Sequence, residues 1–106
     1  MMVVTSETIA NKRIVKTLGL VRGNTVRARH VGKDIMAGLR NIVGGEIHEY
    51  AKLMGESREQ TLDRMVAEAA ALGANAIVAT RFTTSVMMGG AAELLAVGTA
   101  VIIEDE

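Results

Sequence analysis

The sequence predicts a small α+β subunit that associates with copies of itself. Three observations indicate this: extended apolar runs lie at both ends of the chain, one long helical pattern lies between them, and the apolar content exceeds what a small core absorbs. The chain has 106 residues, of which 49% are hydrophobic, and eleven glycines come in addition. A chain of this length forms one domain, residues 1–106, and hides only roughly 60–65% of its unfolded surface. We therefore expect partner copies to cover the remainder.

The first part of the chain is predicted to be extended. A short strand is expected over residues 2–5, and residues 12–29 are rich in β-branched and aliphatic side chains. Gly23-Asn24 is typical of a tight turn, so this pattern predicts two strands that form a hairpin.

A short amphipathic helix is predicted over residues 33–43. Its apolar residues recur at helical spacing, and Gly44-Gly45 follows as a stop signal. Gly38 lies inside the helix at a cost of up to about 1 kcal/mol relative to Ala, which indicates close approach of another backbone.

The longest helical pattern covers residues 46–72. Apolar residues mark one stripe along it, and Gly73 is the natural terminator. Gly55 and a capping-box pattern that begins at Ser57 would allow the helix to restart there, but we favour one continuous element.

The last third of the chain is predicted to form two strands. Residues 75–84 alternate in period two, which places Ala76, Val78, Thr80 and Phe82 on one face. Residues 85–92 are a glycine-rich hairpin connection, and residues 94–103 form a final strand that is apolar on both faces. Strands of that kind are covered on both sides, so a neighbouring copy is expected on the side away from the helices. Residues 104–106 are expected to be a solvated acidic tail.

Composition excludes several functional classes. Formal net charge is zero, and aromatic residues make up 2% of the chain, which argues against nucleic-acid binding. There is no cysteine, so disulfides, thiolate nucleophiles and cysteine-ligated metal centres are excluded. The uncharged runs are shorter than the roughly 20 residues of a spanning helix, and the first residues do not resemble a secretory signal. We expect a cytoplasmic protein with no membrane or nucleic-acid partner.

Charge is divided along the chain. Residues 1–41 carry eight basic and two acidic side chains, whereas residues 42–106 carry four basic and ten acidic ones. The two parts could meet head-to-tail between copies in a ring, or they could attract each other within one subunit. The sequence leaves both alternatives open.

Four segments together resemble the YbjQ-like family, also called UPF0145 or the putative heavy-metal-binding domain. The most specific is DIMAGLRNIVGG at residues 34–45. The others are LGLVRG at residues 18–23, ALGANAIV at residues 71–78 and GTAV at residues 98–101. The resemblance covers nearly the whole chain.

This resemblance implies a dodecin-like β-β-α-α-β-β subunit, with a small antiparallel sheet packed on a long helix, assembled as a homopentameric ring. The family has no established activity. We therefore predict a soluble homo-oligomeric binding or scaffold module without catalytic activity, which binds a metal ion or small ligand where subunits meet. The alternative is a small enzyme with its active site between subunits.

The metal candidates are the two histidines, with Asp34 as an alternative to the first. His30 or Asp34 of one copy could meet His48 of the next across a ring interface and hold a divalent metal ion. Ordinary surface or interface histidines are the competing interpretation. Neutral imidazole is the ligand form, so such binding would weaken below roughly pH 6.

The family's signature polar pair is Arg40 and Asn41, followed by Gly44 and Gly45. These residues could hold an anion or a small polar ligand. Alternatively, Arg40 pairs with a carboxylate, such as Glu68 or Glu93, at a subunit contact, because Arg is suited to interface ion pairs. Arg81, in a predicted strand, has the same two interpretations.

Overall fold

The computed structural model of the protein describes residues 1–27, 45–86 and 92–106, and for residues 45–53 it describes the backbone alone. Within these ranges there are four strands and one helix. In chain order they are β1 (Met2–Val3), β2 (Lys12–Arg27), α1 (Gly45–Ala71), β3 (Ala76–Val86) and β4 (Ala92–Asp105). The short helix predicted over residues 33–43 and the glycine-rich connection at residues 87–91 lie outside the described residues.

The four strands form one sheet in the order β1-β3-β4-β2. β4 is antiparallel to both of its neighbours, β2 and β3. β1 is parallel to β3, so the start of the chain pairs with the strand that follows the helix. The predicted α+β class is confirmed, but the sheet is mixed, whereas an antiparallel one was expected.

β2 is a single strand of 16 residues, so the predicted hairpin at Gly23-Asn24 is wrong. The pairing with β4 passes through this dipeptide without interruption, with Gly23 opposite Ala96 and Asn24 opposite Leu95. Glycine occurs here because α1 approaches the strand closely. A Cβ at position 23 would lie 2.3 Å from the Thr61 carbonyl oxygen and 2.5 Å from the Met65 amide nitrogen.

α1 is one continuous helix, as the sequence predicts, and Gly55 does not interrupt it. Its end is a Schellman motif: the Gly73 amide donates to the Ala70 carbonyl at 3.0 Å, and the Ala74 amide donates to the Ala69 carbonyl at 3.1 Å. Gly73 has φ +86°, a conformation that glycine adopts without steric cost. The helix lies mainly over β2 and β4 and least over β3.

A β-bulge in β3 changes the predicted side-chain alternation. Val78 is opposite Thr99 and Arg81 is opposite Val97, so β3 has one extra residue between these pairs. Ala79, inside the bulge, has φ +53°. Val78 therefore faces away from α1, whereas Phe82 lies on the helix side of the sheet. The prediction that these two side chains share a face is wrong.

The main core lies between the sheet and α1, on what we call the helix face. Its fully buried members are Val21, Met65, Ala69, Ile77, Ala96 and Ala100. The opposite side, the open face, has a smaller cluster of Ala76, Val78 and Val101. Val4 and Ile9 from the N-terminal segment pack against that smaller cluster.

β4 is apolar on both faces, as predicted, but the two faces are buried to different extents. Leu94 and Ala96 are buried on the helix face, whereas Leu95 and Val97 are only partly buried on the open face. Across the strand pair, Leu20 and Val26 of β2 are exposed on the open face, at 66% and 51%. One copy of the chain thus leaves part of this face accessible to water.

The predicted acidic tail is mostly strand. β4 continues to Asp105, and its last residues pair with the start of β2. Lys12 forms an ion pair with Asp105, and Arg13 Nη2 lies 3.1 Å from Glu104 Oε2. These pairs join the basic and acidic parts of the sequence within one subunit, which is one of the two arrangements that the charge pattern allowed.

Within residues 1–27, 45–86 and 92–106, the sheet has two open edges. Among the described residues, nothing pairs with the outer edge of β2. β3 pairs with β1 at Ala76 and Ile77, and the N-terminal segment then bonds to Ala79 and Thr80. Beyond that point, residues 81–86 of β3 have no neighbouring strand other than β4 in the described part of the chain.

Candidate functional site

The candidate site lies where the end of β2 meets the middle of α1. Residues of β2 alternate in period two, so Gly23, Thr25 and Arg27 point toward the helix. Ser57 and Thr61 are four residues apart on α1 and therefore lie on one side of the helix, facing the strand. The absence of a side chain at Gly23 brings the two elements close enough for short polar side chains to meet.

Three buried hydroxyl groups form a cluster at this contact. Thr25 Oγ1 lies 2.7 Å from Ser57 Oγ and 2.9 Å from Thr61 Oγ1. All three side chains are at most 2% exposed. A hydroxyl can both donate and accept, so the three groups satisfy one another without water. The cluster fixes the position of α1 along β2.

A depression of about 620 Å³ opens beside the hydroxyl cluster. The described residues that line it come from the end of β2 and from two turns of α1: Arg27, Gly55, Glu56, Arg58, Glu59, Gln60 and Asp63. Its wall carries two guanidinium groups and three carboxylates, so it can hold a polar ligand with charges of both signs.

Arg27 links the depression to the sheet. Its Nη2 donates to Gln60 Oε1 at 3.0 Å. Its Nε atom is buried and has no hydrogen-bond partner among the residues that the structure describes. A buried donor without a partner is costly, and a ligand acceptor bound in the depression could satisfy it. Next to it, Arg64 Nη1 donates to the Asn24 carbonyl at 2.6 Å, a second connection between α1 and β2.

Asp105 lies near the end of β4, away from the depression, and pairs with Lys12. The hydrogen bond from Lys12 and the positive charge of that side chain lower the pKa of this exposed carboxyl.

The site residues predicted from the sequence are only partly described. His30, Arg40, Asn41 and Gly44 lie outside the described residues. Gly45 is the first residue of α1, and His48 belongs to the first turn of that helix, where only the backbone is described. These side chains lie outside the described part of the chain, so the predicted metal and ligand roles stay predictions.

The proposed partners of Arg40 have other surroundings. Glu93 Oε2 accepts a hydrogen bond from Asn24 Nδ2 at 3.2 Å, and Glu68 is exposed on α1. Arg81 has a structural position: its Nη1 donates to the Thr5 carbonyl at 2.7 Å and to the Thr80 carbonyl at 2.8 Å. It thereby holds the N-terminal segment against β3.

Sequence reasoning missed the hydroxyl cluster and Arg27. Ser57 was assigned to a capping box, and Gly23 to a turn. The available signal was a pair of hydroxyl residues, Ser57 and Thr61, at i and i+4 near the apolar stripe of α1. Thr25 lies at a strand position that faces the helix, but this could be recognised only once the register of β2 was known.

The described side chains do not fit a metal centre. Among residues whose side chains are placed, no group of three or more His, Cys, Asp or Glu could hold a metal ion. The three carboxylates of the depression do not form such a group. In the same part of the chain, no helix is both long and apolar enough to cross a membrane.

Comparison with protein families gives one match over almost the full chain. A family model described as "Putative heavy-metal-binding" matches residues 1–104. A UPF0145 protein of Methanosarcina acetivorans is 56% identical over 103 residues, with 97% of each chain covered. Another from Archaeoglobus fulgidus is 59% identical over 99 residues, with 93% of this chain and 92% of the relative covered.

A solved structure is similar in fold. It is a crystal structure of a protein of unknown function from Pediococcus pentosaceus, assigned to the DUF74 family. The TM-score is 0.64 at 15% sequence identity, and 98% of each chain is covered. At this identity the likeness concerns the fold alone.

Proposed function

The chain belongs to the UPF0145 family, whose model is described as "Putative heavy-metal-binding", and from that membership we propose that it is a homo-oligomeric binding module. In this proposal five copies form a ring of dodecin-like subunits, and a small polar ligand is held where subunits meet. The observation that carries the proposal is the uncovered part of the sheet: two edges that no described strand pairs with, and exposed apolar side chains on both edge strands.

The shape of the chain supports an assembly. Its radius of gyration is 17.4 Å and its extents are 56 × 25 × 18 Å. A compact domain of about this length has a radius of gyration of roughly 13 Å. The accessible surface is 7136 Å², against about 5,700 Å² expected for a monomer of this mass. The elongated shape leaves surface that partner copies can bury.

The exposed side chains support the same conclusion. Leu20, Val26, Phe82 and Val86 are exposed, the last at 83%. Leu20 and Val26 lie on the open face of β2, and Phe82 and Val86 lie on the helix face of β3, so each edge strand of this half of the sheet carries exposed apolar side chains. Apolar side chains on an edge strand make that edge prone to pairing with another chain.

The assembly is tested by size-exclusion chromatography with light scattering. We expect a mass of five times 11.2 kDa, unchanged on dilution through the micromolar range. A mass that is a different fixed multiple of the chain mass would contradict the ring of five but would support a homo-oligomer. A monomer at all concentrations would overturn the proposal.

The ligand site of this proposal is the depression beside Arg27. It supplies charges of both signs and a buried donor to which no described residue offers an acceptor. Amino acids and other small zwitterions match these groups. Binding of a panel of such compounds, followed by calorimetric titration, tests this role. We expect Arg27→Gln to abolish binding, and Arg58→Gln to weaken it. Binding as tight as that of the wild type in both variants would contradict the site.

A divalent metal ion at His30 and His48 is a separate proposal that rests on the sequence and the family description. Elemental analysis of the purified protein and titration with Zn²⁺ at pH 7 test it. We expect binding that weakens below roughly pH 6 and is lost in His30→Gln and His48→Gln. Retention of the ion by both variants would contradict it.

A further inference from the structure

The two open edges of the sheet lie at the same level. Arg22 of β2 and Arg81 of β3 are both opposite Val97 of β4. Five rows further along, Arg27 and Val86 are both opposite Ala92. The two edges are therefore on opposite sides of the same stretch of β4.

The cover provided by α1 is asymmetric across this stretch. The helix lies over β2, where the helix-face residues Val21 and Thr25 are buried. It barely reaches β3, where Phe82 and Val86 on the same face are 45% and 83% exposed. A strand placed beside β2 would lie next to the part of the sheet that α1 covers. β3 is the strand that α1 of its own copy leaves largely uncovered.

Only one part of each edge is suited to pairing. The first half of β2 has two register shifts, between Ile14 and Lys16 and between Thr17 and Gly19, and bulges of this kind protect an edge from pairing. From residue 20 to residue 27 the register with β4 is continuous. On β3 the N-terminal segment bonds as far as Thr80, which leaves residues 81–86.

We propose that residues 81–86 of β3 in one copy add as a strand to residues 20–27 at the edge of β2 in the next copy. This proposal rests on the assembly proposed above and defines its interface. It places Phe82 and Val86 beneath α1 of the neighbouring copy. Val86 is level with Arg27, so the added strand also borders the ligand depression and makes it a site between subunits.

The direction of the pairing follows from the sheet. β2 and β3 are both antiparallel to β4, so they run in the same direction. A copy related by rotation about an axis along the strands keeps that direction, and the added pair is parallel. Because the two edges are level, repeated addition of copies goes around the axis and can close into a ring.

A disulfide test uses the absence of cysteine in the natural sequence. Asn24 of β2 and Thr83 of β3 are both opposite Leu95, on the open face. Within one chain β4 separates them, so they are roughly 9–10 Å apart. A disulfide needs Cα atoms within about 7 Å, so N24C/T83C can form a disulfide between copies only.

We expect mild oxidation of N24C/T83C to give a ladder of covalent multimers on a denaturing gel. Two further variants replace T83C by R81C or by S85C. They detect the same pairing when the register between the added strand and β2 is shifted by two residues in either direction. A mixture of the two single variants should stop at dimers, because each copy then has one reactive edge. The control N24C/E104C has its second cysteine at the other end of β4. It should form no cross-link and run as a monomer on the same denaturing gel.

Two outcomes separate this interface from the assembly itself. If light scattering shows an oligomer and all three double variants give no more multimer than the control, the edge pairing is overturned and the assembly stands. If the wild-type protein is a monomer, both proposals fail.

A second variant tests burial of the added strand. Phe82→Asp should reduce the assembled mass to that of a monomer and keep the circular dichroism of the wild type, because Phe82 is exposed in a single copy. The control Val15→Asp changes an exposed residue in the bulged half of β2, and its mass should stay unchanged. An assembled Phe82→Asp variant would contradict the proposed interface.

Discussion

The two faces of the sheet are closed in different ways. On the helix face, α1 approaches β2 so closely that Gly23 contacts the helix backbone and three hydroxyl groups satisfy one another. On the open face, the N-terminal segment covers the cluster around Val101, whereas Leu20 remains exposed. The difference teaches that, within the described residues, α1 closes the helix face over β2 and β4, whereas the end of β3 on that face and part of the open face stay uncovered. What remains is apolar, and a partner copy can cover it.

Gly23→Ala is expected to have the largest effect, because it forces α1 away from β2 on the helix face. The new Cβ would overlap backbone atoms of Thr61 and Met65, which cannot move independently of α1. We expect a loss of about 3 kcal/mol in the free energy of unfolding, measured by urea denaturation. Gly55→Ala is the matched control: its Cβ meets Arg58 at 3.8 Å, and helix propensity should stabilise the protein by about 0.5–1 kcal/mol. Equal stability of the two variants would mean that α1 is not held closely against β2.

Thr25→Val should have the next largest effect, on the same face. It removes the group that bonds to both Ser57 and Thr61 and leaves their hydroxyls buried without that partner. We expect a loss of about 2 kcal/mol in the free energy of unfolding. Thr25→Ser retains the hydroxyl and serves as the control for the lost bonds. A loss as large for Ser as for Val would mean that the hydroxyl bonds contribute no more to stability than the packing of the methyl group.

The sequence predicted the elements that depend on a repeating pattern. The continuous α1 and its end at Gly73 follow from apolar periodicity and from the helix-ending glycine. Gly23 was interpreted wrongly because a glycine that permits close packing and a glycine in a turn look the same in a sequence. The bulge at Ala79 was missed because alanine rarely adopts positive φ.

The candidate site was less predictable than the fold. The hydroxyl cluster joins residues 25, 57 and 61, and their proximity depends on the docking of α1 on β2. Neither residue spacing nor composition contains that information. In the sequence, Arg27 is one of several basic residues. The burial of its Nε depends on the packing around it, which the sequence does not show.

Ala79→Gly tests the bulge at which the N-terminal segment joins β3. Ala79 has φ +53°, and its amide donates to the Ser6 carbonyl at 2.8 Å. Glycine adopts this conformation without a clash, so we expect a gain of about 0.5–1 kcal/mol in the free energy of unfolding. Ala74→Gly, outside the bulge and with ordinary φ, should bring no gain. A destabilised Ala79→Gly variant would indicate that strain is absent at this position.

Leu20→Asn examines the uncovered part of the open face. In a single copy this side chain is 66% exposed, so the free energy of unfolding of a monomer should change by less than about 0.5 kcal/mol. If copies cover this face, the same variant should weaken the assembly, measured as dissociation on dilution in light scattering. The control Val21→Asn affects the buried helix face and should destabilise the fold itself. A Leu20→Asn variant that unfolds as easily as the control would show that the two faces do not differ.

The smallest effect is expected at the exposed pair of Lys12 and Asp105, where water screens the charges. Because the pKa of the Asp105 carboxyl is lowered in the folded state, its contribution to stability is present above the usual pKa of 3.8 and is lost as pH falls through the folded value. Asp105→Asn should therefore be slightly less stable than the wild type at pH 7 in low salt, and the difference should vanish at about pH 2 or in 1 M salt. Denaturation at these conditions measures it. Thr25→Val contains no titrating group, so its loss should persist at both pH values. If the two variants respond to pH alike, the stability of the helix face would depend on charge, contrary to the neutral hydroxyl contacts that define it.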